Sequence, residues 1–125
     1  MALKFYRCSH CGNIIIKVVD KNVPVVCCGE RMEEIIPSST DAAVEKHVPV
    51  IAVDGNIVTV SVGSVAHPMI PEHFIEFIVL ETSKGFQLAE LKAGDTPSAT
   101  FALTEGTEVK AAYAYCNLHG LWVNE

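Results

Sequence analysis

Three short segments carry side chains that bind metals: Glu45-Lys46-His47-Val48-Pro49, His67-Pro68-Met69-Ile70-Pro71-Glu72-His73 and Cys116-Asn117-Leu118-His119-Gly120. Together they hold four of the five histidines and the one cysteine that lies outside an N-terminal cluster. A loop histidine taken singly is ordinarily a surface residue, whereas the Cys-x-x-His pair Cys116/His119 has metal-ligand spacing. Five donors, His47, His67, His73, Cys116 and His119, exceed the four that zinc normally takes. Four imidazoles and one thiolate suit a square pyramid around iron with the sixth position open. A thiolate opposite that vacancy pushes electron density through the metal, which favours one-electron transfer to a small oxygen species.

The other four cysteines form a second group. Cys8-Ser9-His10-Cys11-Gly12 is a Cys-x-x-Cys knuckle whose tight turn aims two thiolates at one point, and Cys27-Cys28-Gly29 adds a second pair. Four thiolates make a tetrahedral sulfur site for zinc or iron, and the adjacency of Cys27 and Cys28 implies a distorted one. Two disulfides, or a thioredoxin-like pair made by the knuckle alone, are the alternatives. His10, inside the knuckle, reads as an exposed loop residue.

These groups need a scaffold that brings distant loops together. Residues 1–37 carry the cysteine cluster and short apolar runs, too little for an independent core, so a metal cross-link is the expected stabiliser. Pro37 to Asp41 reads as a linker or cap, with Asp41 and the alanines after it opening one helical turn. Residues 38–125 read as strands: Val48–Val53 and Ile57–Val62 flank the turn signal Asp54-Gly55-Asn56 and predict a hairpin. Further strands are expected at Phe74–Leu80, Phe86–Leu91, Ala99–Leu103, Val109–Tyr115 and Leu121–Val123. The pattern is all-β, a small metal domain followed by a seven-stranded, immunoglobulin-like antiparallel β-sandwich. Every metal-binding residue of the larger region falls at a strand end or in a loop.

Half of the 125 residues are hydrophobic and 19% are charged, which suits a folded protein. No apolar run reaches the ~18 residues of a membrane span, and Met1 to Cys8 lacks the apolar centre of a signal peptide, so a soluble cytoplasmic protein is expected. A net charge of -6, with nine scattered Lys and Arg, argues against nucleic acid. An anionic substrate would need a locally positive mouth, its repulsion by the whole chain being screened beyond ~8 Å.

The residues of both groups resemble the two-iron desulfoferrodoxins, also called superoxide reductases. The resemblance spans nearly the whole chain. Cys8, Cys11, Cys27 and Cys28 look like a desulforedoxin-type domain, and the three segments around His47, His67–His73 and Cys116–His119 look like the catalytic domain. No ligand position of the family pattern is missing, whereas one-iron members lack the N-terminal cysteines. The resemblance implies equatorial ligation by His47, His67, His73 and His119, axial ligation by Cys116, and a rubredoxin-like iron on the four N-terminal cysteines that the reaction itself does not need. It implies one-electron reduction of superoxide to hydrogen peroxide without oxygen release, rubredoxin or a similar donor, and a homodimer. Lys46 would attract superoxide and help protonate the product. Glu45 resembles the family's glutamate that occupies the sixth position of the ferric state. Without the resemblance, Glu45 and Lys46 read as a solvated charge pair. Trp122, Tyr113 and Tyr115 read as core or rim aromatics. A pure electron carrier and a zinc-knuckle binding module are the competing functions.

Overall fold

The computed structural model describes residues 3–40 and 46–125. The helical turn expected from Asp41, and Glu45 with it, lie outside the described residues. The chain forms two compact units, Met1–Ile36 and Pro37–Glu125.

The smaller unit is built from five strands of two or three residues: β1 (Phe5–Arg7), β2 (Ile14–Ile16), β3 (Val26–Cys27), β4 (Glu30–Arg31) and β5 (Glu33–Ile35). β1 pairs antiparallel with β2 and β5, and β3 with β4. The sequence pattern does not announce these strands, because two or three residues are too few to show a period. Phe5, Cys8 and Met32 are its buried apolar side chains. So small a core needs a further cross-link.

The larger unit has β6 (Pro49–Asp54), β7 (Ile57–Val62), β8 (Ile75–Thr82), β9 (Gly85–Glu90), β10 (Ser98–Ala102), β11 (Val109–Cys116) and β12 (Gly120–Asn124). They lie where the strands were expected, with ends differing by a residue or two. Two antiparallel sheets form, in the orders β10-β7-β6 and β12-β11-β8-β9. The β6–β7 hairpin turns at Gly55, whose φ of 61° suits a residue without a Cβ. Alternation drives the packing: Val58, Val60 and Val62 of β7 and Phe101 of β10 meet Ile75, Ile78 and Leu80 of β8 and Ala112, Ala114 and Cys116 of β11 in one buried cluster. β8 runs two residues past the expected Leu80. Glu81, polar in sequence, is buried there, and the Tyr113 hydroxyl donates to its carboxylate at 2.8 Å.

One irregularity matters for the site. The β8–β11 register shifts between Tyr115↔Phe77 and Cys116↔Ile75, so Glu76 is an extra residue on β8. This bulge lets Ile75 and Ile78 both face the core, and it sits where β11 delivers Cys116. At the opposite edge the Asn124 side chain donates to the Pro49 carbonyl at 2.8 Å and ties β12 to β6.

Candidate metal centres

Each of the five expected donors of the larger unit is placed by a strand end. His47 precedes β6, whose first residue, Pro49, is buried. His67 follows β7, and its N–H donates to the Val62 carbonyl at 2.8 Å. His73 precedes β8 and exchanges both backbone hydrogen bonds with Ile70, at 3.0 and 3.1 Å. Cys116 ends β11, and His119 lies in the turn into β12 that Gly120 closes with a φ of 82°.

These five residues converge. Their donor atoms all lie within 4.8 Å of one another. The imidazoles form a closed circuit with ring-centre distances of 4.7 Å (His47–His67), 4.6 Å (His67–His73), 5.0 Å (His73–His119) and 4.9 Å (His119–His47). Each ring is turned 64–82° from the next. An ion about 2.1 Å from each nitrogen lies about 3.2 Å from each ring centre, and a square with that half-diagonal has sides of about 4.5 Å. The four ring-to-ring distances therefore fit four imidazoles gathered around one ion.

The hydrogen bonds agree with this arrangement. His67 Nδ1 lies 2.7 Å from the Pro68 carbonyl, which makes Nδ1 the protonated nitrogen and leaves Nε2 for a metal. Cys116 Sγ is 3.7 Å from His119 Nδ1, within the roughly 4.3 Å that a metal–sulfur and a metal–nitrogen bond can span together. Cys116 is fully buried in the core cluster, so its thiolate would meet the metal from the apolar side, while His119 is exposed.

The surroundings add three residues that sequence reading passed over or undervalued. The Trp122 indole stacks on His47 at 4.6 Å and 16°, and its Nε1–H donates to the His119 carbonyl at 3.1 Å, so this rim aromatic touches two donors. Asn117 bonds to the chain on both sides of His73, accepting from Phe74 N–H at 2.9 Å and donating to Glu72 C=O at 3.0 Å. Gly63 lies against the backbone of Lys46: a Cβ there would come within 2.9 Å of the Lys46 carbonyl oxygen. No sequence period marks these contacts, although Asn117 stands inside the Cys-x-x-His motif. Lys46 itself is half-buried beside His47.

The four N-terminal cysteines also converge, with sulfurs within 4.8 Å of one another, and all are free thiols. Cys11 Sγ and Cys27 Sγ are 3.6 Å apart, close to the roughly 3.8 Å edge of a tetrahedron with metal–sulfur bonds of about 2.3 Å. The adjacent pair is accommodated by the backbone. Cys28 has a φ of 54° and Gly29 one of 77°, two successive left-handed residues that turn the second thiol inward at the cost of strain at Cys28. His10 stays outside the cluster and pairs with Glu30 at 3.1 Å.

The thiols cannot all ionise unaided. The Cys11 backbone N–H, 3.5 Å from Cys8 Sγ, is the main cause that lowers Cys8 to about 6. The side chains of Cys11 and Cys8, then burial, push Cys28 up to about 12, and the same two neighbours raise Cys27. Four thiolates together need a cation, which is what a soft metal ion supplies.

Comparison with known proteins fits both centres. The desulfoferrodoxin family profile matches residues 39–125. A desulfoferrodoxin homolog of Archaeoglobus fulgidus is 44% identical over 120 residues, 96% of this chain and 94% of its own. The desulfoferrodoxin of Nitratidesulfovibrio vulgaris is 44% identical over 98% of this chain and 95% of its own. The crystal structure of the superoxide reductase from Treponema pallidum superposes with a TM-score of 0.87 at 39% identity, covering 99% of this chain and 98% of that one. A one-iron superoxide reductase from Giardia intestinalis covers 64% of this chain and 95% of its own, with a TM-score of 0.56 at 36% identity. The match that needs both units is the fuller one, and both donor sets of the two-iron form are in place. With four imidazoles, a buried thiolate and a separate four-sulfur cluster on one chain, the protein belongs to the desulfoferrodoxin family.

Proposed function

We propose that this chain is a superoxide reductase, carrying out the reaction in which superoxide, one electron and two protons give hydrogen peroxide with no release of oxygen. The observation that carries the reading is the closed circuit of four imidazoles with the Cys116 side chain buried against the core. Ferrous iron held there would supply the electron and an open coordination position. His47, His67, His73, His119 and Cys116 would hold it. Burial keeps the thiolate out of water, so its charge is directed at the metal.

Lys46 would give a chain of net charge -6 a local cation at the mouth, drawing in the anion and, through water, supplying a proton to the departing product. Its position beside His47, packed on Gly63, supports that role. Glu45 would be the residue that occupies the open position in the oxidised state. Cys8, Cys11, Cys27 and Cys28 would hold the second iron, which stores an electron and is not needed for the reaction itself. The reductant would be rubredoxin or a similar small carrier, and the protein a cytoplasmic homodimer. Five cysteines, none of them in a disulfide, suit a reducing compartment, and exposed Val18, Val19, Val23 and Ile36 offer apolar surface to a second copy.

The test is stoichiometric. Pre-reduced, iron-loaded protein should consume superoxide, yield hydrogen peroxide and release no oxygen. Oxygen evolution would identify a dismutase and overturn the proposal. Cys116→Ser should abolish the reaction, whereas a simple electron carrier working through the four-cysteine site would keep its activity.

A further inference from the structure

We propose that Asn117 is a positioning residue that sets the distance between His73 and the Cys116/His119 pair, so that the fourth imidazole reaches the metal. The inference rests on the reading that the five-donor cluster binds a metal ion.

Cys116 and His119 come from the β11–β12 turn, and His73 from the segment before β8. Asn117 joins the two segments through three hydrogen bonds. Its Oδ1 accepts from the Phe74 N–H at 2.9 Å, its Nδ2–H donates to the Glu72 carbonyl at 3.0 Å, and its backbone N–H donates to the Phe74 carbonyl at 3.2 Å. The N–H and carbonyl of His73 are themselves taken by Ile70. The backbone groups that fix where the His73 ring starts are therefore all committed, and the side-chain half of that commitment comes from the residue next to Cys116.

The chemistry asks for an amide. Phe74 presents a donor and Glu72 an acceptor, and a side chain meeting both must carry an acceptor and a donor on one short stem, as asparagine does. Aspartate would keep the bond to Phe74 and set a carboxylate oxygen against the Glu72 carbonyl. Alanine would release both. Residues that orient ligands without touching the metal typically change its affinity about 10–100-fold when removed.

Cobalt(II) is the probe, because its visible bands report coordination number directly. The four-cysteine site contributes the same bands to every variant and drops out of difference spectra. Asn117→Ala should bind cobalt at the His/Cys cluster about 10–100-fold more weakly. Its difference bands should match those of His73→Ala, with one nitrogen lost, and the double variant should be no worse than either single one. Asn117→Asp, which retains one of the two side-chain bonds, should fall between wild type and alanine, and it serves if the alanine variant does not fold. Wild-type affinity and bands in a folded Asn117 variant, whatever its melting temperature, would overturn the proposal. Additive effects of Asn117→Ala and His73→Ala would do the same. Wild-type protein that takes no cobalt at this cluster would overturn the metal reading itself, a failure distinguishable from that of Asn117.

Discussion

The indole of Trp122 lies almost parallel to the imidazole of His47, with ring centres 4.6 Å apart. Trp122 is the only tryptophan of the chain and also donates to the His119 carbonyl, so its emission reports on two metal donors at once. Loading the His/Cys cluster with iron or cobalt should quench most of that emission. Trp122→Ala should lower stability by about 2 kcal/mol, less than the roughly 3–5 kcal/mol of a fully buried tryptophan, because the ring is half-buried. Trp122→Phe, which keeps the stack, should lose less. Emission indifferent to metal would refute the reporter, and chemical denaturation measures the stability change.

Lys46 is the second case. Lys46→Ala should slow superoxide capture roughly tenfold at low salt and flatten its dependence on ionic strength, while Lys46→Arg keeps the dependence. Pulse radiolysis across a salt series measures both. A salt dependence that survives the alanine change would remove Lys46 from the steering role.

Gly63 gives a prediction of a different kind, since it touches neither donor nor substrate. A methyl group there meets the Lys46 carbonyl oxygen at 2.9 Å, its carbon at 3.0 Å and its Cβ at 3.0 Å, so backbone must shift. Gly63→Ala should cost about 1–3 kcal/mol of stability. It should also slow superoxide capture as Lys46→Ala does, with iron content unchanged. A variant as stable as wild type, with unaltered capture kinetics, would show that the contact relaxes freely.

At the four-cysteine site protons and the metal compete for the same sulfurs. Cys28, held at about 12, and Cys27, also raised, keep their protons at neutral pH, whereas Cys8, at about 6, has largely lost its own. Metal binding there should therefore release protons, those of Cys27 and Cys28 among them, and affinity should rise with pH through neutrality and fall in acid. Calorimetry in buffers of different ionisation enthalpy measures the proton count. Cys28→Ser should empty this site and leave superoxide reduction by the sandwich intact; loss of that activity would give the sulfur site a direct part in it.

Much of this was legible in the residues, and the reasons for the gaps are physical. The hairpin at Asp54-Gly55-Asn56 and the alternation of Val58, Val60 and Val62 state their strand in a period of two, and the structure follows. The donors announce themselves by type and by the Cys116/His119 spacing. The five short strands of the first unit carry no period at all, and the apolar run of β8 ends at Leu80 in the sequence although the strand continues, because Glu81 is polar yet buried against the Tyr113 hydroxyl. The stack of Trp122 on His47 and the approach of Gly63 to Lys46 join positions far apart in the chain, so only the folded geometry discloses them.

The bulge at Glu76 and the strand ends around it carry one further consequence. His47 stands before β6, His67 after β7, His73 before β8, and Cys116 and His119 at the junction of β11 and β12. Neither sheet alone offers a complete donor set. A growing polypeptide thus has no five-donor grip on iron until the β11–β12 turn has been synthesised and has closed onto β8. Complete five-donor coordination at this centre therefore requires the assembled sandwich.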